Sequence, residues 1–251
     1  MPDGVGICAV IVDYYSAQDT VALAACLVED TQLTEVLVVD NTGDPGYTIE
    51  PLPERAKIVK APIRQGYGAG VNLGVGCTQS AYVLALNSDL LVHRGQLSAL
   101  ADYLDRNPEI GLAAPLIQDR HGAVQTDAAG YFPRRWGGVQ ERREWRTGAA
   151  FMMRRETFEH LGGFDERYFM YWEDTDLCLR LHYAGLGVAT DDAVIVVHTS
   201  GGSDARTSSR YRNAATSRDL FLRRWNYPVL QRILMHGLSR FKLQSLWVRG
   251  L

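Results

Sequence analysis

Long apolar runs are missing from this chain. No stretch approaches the roughly 18 uninterrupted apolar residues of a membrane-spanning helix. The opening Met1-Pro2-Asp3-Gly4 lacks the basic start and apolar core of a secretory signal. Cysteine is scarce too. Cys8, Cys26, Cys77 and Cys178 lie far apart with no CxxC pair, which argues against a disulfide scaffold or a cysteine-ligated metal and favours a reducing cytoplasm. What is present is ordinary: 46% hydrophobic and 22% charged residues over 251 positions, enough for one α/β core and unlike a disordered or collagenous chain. The net charge of −3 conceals an asymmetry, because residues 206–251 hold ten Arg or Lys and a single acid, Asp219. A basic tail on an acidic body points to an anionic neighbour, such as phosphates or an anionic membrane surface.

Hydrophobic patterning alternates strands with helices. Val5–Val12, Glu35–Val39, Lys57–Lys60, Tyr82–Leu86 and Gly111–Ala114 read as strands, with helices over Asp19–Glu29, Gly70–Gln79 and Gln96–Asp105 between them. That order predicts right-handed crossovers and a mostly parallel sheet. Residues 117–146 break the pattern and read as a long excursion or hairpin. Ala149–Met153 then reads as a strand and Arg155–His160 as a short helix. Asp174–Ala184 is an amphipathic helix with Leu177, Cys178 and Leu181 on one side, Val188–Val197 holds a last strand, and Ser208–Trp225 is helical.

Ligands of such sheets bind beyond the carboxyl ends of the strands, which gathers Asp13, Asp40 and Asn87–Asp89 on one rim. Each has two readings. Asp40 accepts an N–H from a nucleobase, or closes an Asp-Asn turn. Asn87-Ser88-Asp89 offers oxygen donors for Mg²⁺ or Mn²⁺, or caps the next element. The glycines of Arg64–Asn72 let backbone approach a phosphate at a helix start, or form a flexible loop. Their Gly66-x-Gly68-x-Gly70 spacing departs from GxGxxG, which argues against a dinucleotide-binding enzyme. In Gly162–Asp176, Glu173, Asp174 and Asp176 either cap a helix dipole or stand as a general base behind the aromatic wall of Phe169, Tyr171 and Trp172. His198, closing a strand, is a metal ligand or a hydrogen-bonded rim residue.

The order of these segments resembles one family. Val38-Val39-Asp40-Asn41, the Gly66–Asn72 loop, Leu86-Asn87-Ser88-Asp89, Gly148–Arg155, the run Gly-Gly-Phe-Asp-Glu…Tyr-Trp-Glu-Asp-x-Asp-Leu over 162–177 and Val197-His198 are similar to family-2 inverting glycosyltransferases, in the rhamnosyltransferase-like branch. The match spans about residues 5–225. It implies a GT-A fold, a Rossmann-like, mostly parallel sheet over residues 1–205. Residues 1–115 would bind the nucleotide sugar, residues 116–205 would form the acceptor and catalytic half, and 206–251 a basic helical extension.

The resemblance also implies roles. Asp40 would recognise the base, beside Val12 and Tyr14 of the Val12–Ser16 loop. Arg64, Gly66, Gly70 and Asn72 would lie against the nucleotide and diphosphate, with Asn87 and Ser88 nearby. Asp89 and His198 would hold Mg²⁺ or Mn²⁺. Asp174 would be the catalytic base, supported by Glu173 and Asp176, with Trp172 and Gly148 on the acceptor side. The expected partners are a nucleoside-diphosphate sugar, dTDP- or UDP-linked, and a sugar or small-molecule acceptor, with no nucleic acid; oligomeric state stays open.

Three positions depart from the pattern. Asn87 replaces the first acid of Asp-x-Asp, Tyr15 stands where relatives often carry Asn, and Arg64 also stands where many carry Asn. A guanidinium there matches phosphate geometry. In the tail, Arg223, Arg224, Trp225, Arg232, Arg240, Phe241, Lys242, Trp247 and Arg249 suit either peripheral contact with an anionic membrane or a solvated helix pair or dimer surface. Two other functions compete: a catalytically silent binding module of the same fold, and a sugar-1-phosphate nucleotidyltransferase. The second calls for a glycine-rich, Arg-containing loop after the first strand, which Val12–Ser16 lacks.

Overall fold

The structure, a computed structural model, describes residues 6–125, 127–132, 141–199 and 207–227. Its centre is β1 (Ile7–Asp13), buried along its whole length. Alternate side chains of β1 serve two cores, as the pleat of a strand requires. Ile7, Ala9 and Ile11 meet α1 (Ala17–Leu27) and α3 (Ala99–Arg106) through Leu23, Leu27, Leu100 and Leu104. Cys8, Val10 and Val12 face the other way, toward α2 (Tyr67–Val75), α4 (Arg155–His160) and α5 (Glu173–Tyr183), through Val71, Val75, Phe158, Leu177, Cys178 and Leu181. A strand buried on both faces needs a continuous apolar run, and Ile-Cys-Ala-Val-Ile-Val is one.

The neighbours of β1 are β2 (Leu33–Asp40) and β4 (Tyr82–Asn87), both parallel, and β3 (Ala56–Lys60) adds in parallel to β2. On the other side β9 (Ala150–Arg154) runs antiparallel between β4 and β6 (Ile110–Gln118). Next come β10 (Gly187–His198), parallel to β6, and the two-residue β5 (Leu90–Leu91), antiparallel on the edge. The order is β3-β2-β1-β4-β9-β6-β10-β5, an α/β sheet as expected. Part of the 117–146 excursion is the antiparallel hairpin of β7 (Asp127–Phe132) and β8 (Glu141–Arg146). Among the described residues no helix is long and apolar enough to cross a membrane.

Two expectations need correction. The helix placed at Gly70–Gln79 begins at Tyr67 and ends at Val75, so Gly68 and Gly70 lie inside it. Glycine is a poor helix former in isolation, but here its missing side chain allows close packing. A Cβ on Gly68 would come within 2.7 Å of the Phe164 side chain, and one on Gly70 within 2.9 Å of Val12. These glycines bring the helix onto the sheet; they do not form an open loop.

The second correction concerns the tail. In α6 (Thr207–Arg224) and the residues after it, Arg224 and Trp225 turn inward. Arg224 pairs with Asp176 and Asp165, and the Trp225 indole N–H donates to Asp176. Desolvated partners draw them off the surface, which leaves Arg223 outward with Asp219. The remaining residues of the membrane reading, Arg232 to Arg249, lie outside the described residues.

Gly66, which caps α2, packs against backbone. A Cβ there would overlap the Phe169 carbonyl oxygen and approach that of Tyr168 to 2.6 Å. Gly66→Ala is expected to destabilise the protein by about 1–3 kcal/mol, the usual cost of overpacking. Urea unfolding midpoints of the two proteins check this.

Candidate active site

The carboxyl ends of β1, β2 and β4 open onto a cavity whose far wall is the start of α5 and the Phe169–Tyr171 segment before it. Of the residues singled out from sequence, Val12, Tyr14, Arg64, Asn87, Ser88, Asp89, Gly148, Glu173, Asp174 and His198 line this cavity together. Segments more than a hundred residues apart in the chain meet there.

One wall is built on β1 and β4. The Asp13 carboxylate is fully buried and accepts hydrogen bonds from the Ser16 and Thr20 hydroxyls, which curls the chain sharply into α1. Ser16 in turn reaches the Ser88 hydroxyl at 2.8 Å, joining the first loop to Asn87-Ser88-Asp89. Arg64 enters from the side with its guanidinium 4.2 Å from the Tyr14 ring centre and 5.0 Å from that of Phe169. Stacking on two rings holds an otherwise flexible cation in place.

The metal-binding expectation rests on β5. Its antiparallel pairing with β10 sets Leu90 opposite His198 and so brings Asp89 to the histidine. His198 Nε2 lies 3.1 Å from Asp89 Oδ1, and Nδ1 lies 3.1 Å from Gln125 Oε1. A proton on Nε2 would be donated to Asp89; a proton on Nδ1, donated to Gln125 Oε1, leaves the Nε2 lone pair on the Asp89 side, where a divalent cation shared by the two would take it. One carboxylate oxygen and one imidazole nitrogen suit Mn²⁺ or Mg²⁺ that keeps waters and substrate phosphate oxygens in its remaining positions. The residues therefore fit the ion. Among the described residues no three His, Cys, Asp or Glu side chains come together to hold one unaided.

Asp174 sits in the first turn of α5. Its Oδ2 accepts the Gly148 N–H at 3.0 Å, and its Oδ1 accepts the Thr175 N–H at 2.7 Å. Burial pushes its carboxyl above the ordinary aspartate range, and the two N–H groups hold that rise in check. Beside it Glu173 is buried with Oε2 unpartnered. Desolvation, and then the charge of Asp174, drive the Glu173 carboxyl well above its ordinary range and favour its protonated form.

Other expected site residues lie elsewhere. Asp40 is buried off the cavity, where Oδ1 accepts the Thr42 N–H and hydroxyl and Lys60 stands 3.8 Å from Oδ2. Gly66 and Gly70 face protein. Asn72 clamps the 163–166 turn by donating to the Phe164 carbonyl and accepting its N–H. The Trp172 ring packs on Phe221 at 5.0 Å and so turns away from the cavity. Asp176 has no solvent contact and is claimed by Arg180, Arg224 and Trp225. Gly148 does line the cavity, but its peptide is engaged on both sides, because its carbonyl accepts the Tyr67 hydroxyl at 2.6 Å.

Sequence reasoning passed over Tyr67, although it sits within the glycine-rich stretch. Burial drives its hydroxyl well above the ordinary tyrosine range, which keeps it a donor to Gly148. Asn41, part of the Val38–Asn41 segment of the resemblance but given no role of its own there, lines the cavity, and its amide donates to the Gln65 carbonyl at 2.9 Å, pinning the segment that carries Arg64.

Comparison with known proteins agrees with this layout. The family model described as glycosyl transferase family 2 matches residues 9–162, and one described as the N-terminal domain of galactosyltransferase matches residues 136–198. An N-acetylglucosaminyl-diphospho-decaprenol L-rhamnosyltransferase, found in two strains of Mycobacterium tuberculosis, is 30% identical over 240 residues, covering 80% of this chain and 78% of its own. Two solved structures share the fold at lower identity. The mannosyltransferase PcManGT of Pyrobaculum calidifontis, in complex with GDP-Man and Mn²⁺, superposes with a TM-score of 0.64 at 16% identity, over 96% of this chain and 71% of that one. GalNAc-T7 with UDP, GalNAc and Mn²⁺ gives 0.62 at 15% identity over 87% of this chain, which spans 48% of its length. The chain belongs to glycosyl transferase family 2 and is a glycosyltransferase of GT-A fold.

Proposed function

We propose that the protein transfers a hexosyl or deoxyhexosyl group, L-rhamnosyl first among them, from a dTDP- or UDP-linked donor to a hydroxyl of a lipid-linked saccharide, with inversion. The observation that carries this is a half-buried, backbone-oriented carboxylate, Asp174, sharing one cavity with the Asp89–His198 pair. The rhamnosyltransferase relative supports the choice of sugar and acceptor.

Val12, Tyr14 and Arg64 would line the nucleotide end, with Arg64 paired to the diphosphate. Asp89 and His198 would hold Mn²⁺ or Mg²⁺, which when bound supplies Lewis-acid neutralisation of the diphosphate charge. Asp174 accepts the proton of the acceptor hydroxyl as that oxygen bonds to the anomeric carbon. The bond from that carbon to the diphosphate oxygen breaks on the opposite face, and the nucleoside diphosphate leaves with the electron pair. Oδ1 accepts both the N–H and the hydroxyl of Thr175, while Oδ2 accepts only the Gly148 N–H, so Oδ2 is the oxygen that meets the substrate, already oriented. Glu173, favoured in its protonated form, leaves Asp174 as the anion of the pair. A phosphate leaving group needs no protonation, so a second acid is not required, in contrast to glycoside hydrolysis.

Asp174→Asn is expected to lower kcat by about a hundred- to ten-thousand-fold, the span of general-base catalysis, with nucleotide affinity retained. Comparable rates in variant and wild type would remove Asp174 from that role. Because the base works only when ionised and burial raises its pKa, kcat/KM should rise with pH along a limb displaced upward from the ordinary aspartate range. A limb at or below that range would contradict the assignment. Calorimetry with UDP, dTDP and GDP, each with Mn²⁺ and with chelator, should give tight metal-dependent binding of one nucleotide, weakened in His198→Ala. Binding of none would favour the silent module.

A further inference from the structure

The Phe169–Tyr171 wall of the cavity has an unusual backbone. Tyr171 and Trp172 are consecutive non-glycine residues in the left-handed region, at φ 69° and 72°. Side chains disfavour that region, so it persists only where the surroundings enforce it. Here the enforcement comes from behind, from α6. The Ser217 hydroxyl, almost fully buried, donates to the Met170 carbonyl at 2.8 Å. Phe221 lies under the Trp172 ring. The Trp172 carbonyl accepts the Asp176 N–H at 2.9 Å, and the Asp176 carboxylate is in turn held by Arg224 and the Trp225 indole, each at 2.9 Å. On the cavity side the same segment is tied down once more, where the Phe169 carbonyl accepts the Tyr67 N–H at 3.1 Å.

The hydrogen bonds and ion pairs of the Ser217, Arg224 and Trp225 side chains go to residues 165–176, while Phe221 and Leu222 also share a cluster with Leu179 of α5 and Trp225 lies beside Tyr183. The opposite wall, with Val12, Tyr14 and Ser88, stands on β1 and β4 and the loops that follow them. Glu173 and Asp174 follow Trp172 directly, so the path of the backbone through Tyr171 and Trp172 sets the direction in which α5 presents them. We infer that α6 is a positioning element for the acceptor side of the active site, with Ser217 the positioning residue that fixes Met170 and, through it, the left-handed Tyr171–Trp172 pair. The inference rests on the proposed function only in naming the acceptor side. It assigns a role to a helix that lies beyond the 9–162 family match.

The test uses the full chain carrying Ser217→Ala or, separately, Trp225→Phe, which keeps an aromatic, smaller ring beside Tyr183 and Phe221 and loses the N–H. Arg223→Ala, on the exposed face of α6, is the control. Transfer is assayed with dTDP-L-rhamnose and a synthetic N-acetylglucosaminyl diphosphate lipid, dTDP binding by calorimetry, and amide hydrogen exchange over residues 168–173. Loss of one buried hydrogen bond should raise the acceptor KM about fivefold. The dTDP Kd should stay within about twofold, and exchange at 168–173 should speed up while β1 and β4 keep wild-type rates. An unchanged KM with unchanged exchange would overturn the inference. So would a parallel loss of dTDP binding or faster exchange in β1 and β4, because the helix would then merely stabilise the whole fold. If the wild type transfers nothing to this acceptor, the proposed function fails, and exchange at 168–173 alone decides the role of Ser217.

Discussion

A carboxylate without solvent contact, that of Asp176, is what α5, α6 and the connection leading into α5 are assembled around. Burying an ion is costly unless charge and hydrogen bonds compensate it, and Asp176 gathers Arg180 from its own helix, Arg224 from the end of α6 and Trp225 just after it. Arg180 extends the arrangement by donating to the Leu161 and Gly163 carbonyls, which pins the turn that leads into the cavity wall. Arg224 also reaches Asp165. One buried charge thereby sets the spacing of α5, α6 and the 161–172 connection, and the walls of the cavity inherit that spacing.

The orientation of Asp174 is a second-order consequence. Asp174 takes its direction from the Gly148 N–H, whose peptide is braced by Tyr67, whose main chain is braced by Phe169. Each link joins a different part of the chain, so the geometry at Asp174 belongs to the fold and not to the Glu-Asp motif taken alone. The wall on β1 and β4 is built the same way, with the buried Asp13 holding Ser16 and Ser16 holding Ser88.

Much of this was legible in the residues. Helix α5 begins and ends within one residue of its expected span because Leu177, Cys178 and Leu181 repeat at helical spacing and are all buried. The β1 run is unmistakable because both its faces are apolar. Where reading failed, the missing information was three-dimensional. Strand direction leaves no mark in a short apolar run, so the antiparallel sense of β9 was invisible. Glycine propensity concealed the first turn of α2, since the benefit of a bare backbone appears only against Val12 and Phe164. Asp174 and Asp176 look equivalent in sequence, but two residues rotate a helix by about 200°, so one meets the cavity and the other the interior. Arg224 and Trp225 looked like surface residues because nothing in composition announces a buried partner.

The antiparallel β9 has a consequence for turnover. It is hydrogen-bonded to β4 on one side and β6 on the other, and so splices β1, β2 and β4 to β6 and β10 in one sheet. Rotating one group against the other would break the pairing of β9 with Tyr82–Leu86 of β4 or with Leu112 and Ala113 of β6. Motion that leaves this ladder intact falls to the rim segments outside it, such as Phe169–Tyr171, which is tied to α2 and α6 by single hydrogen bonds at Phe169 and Met170.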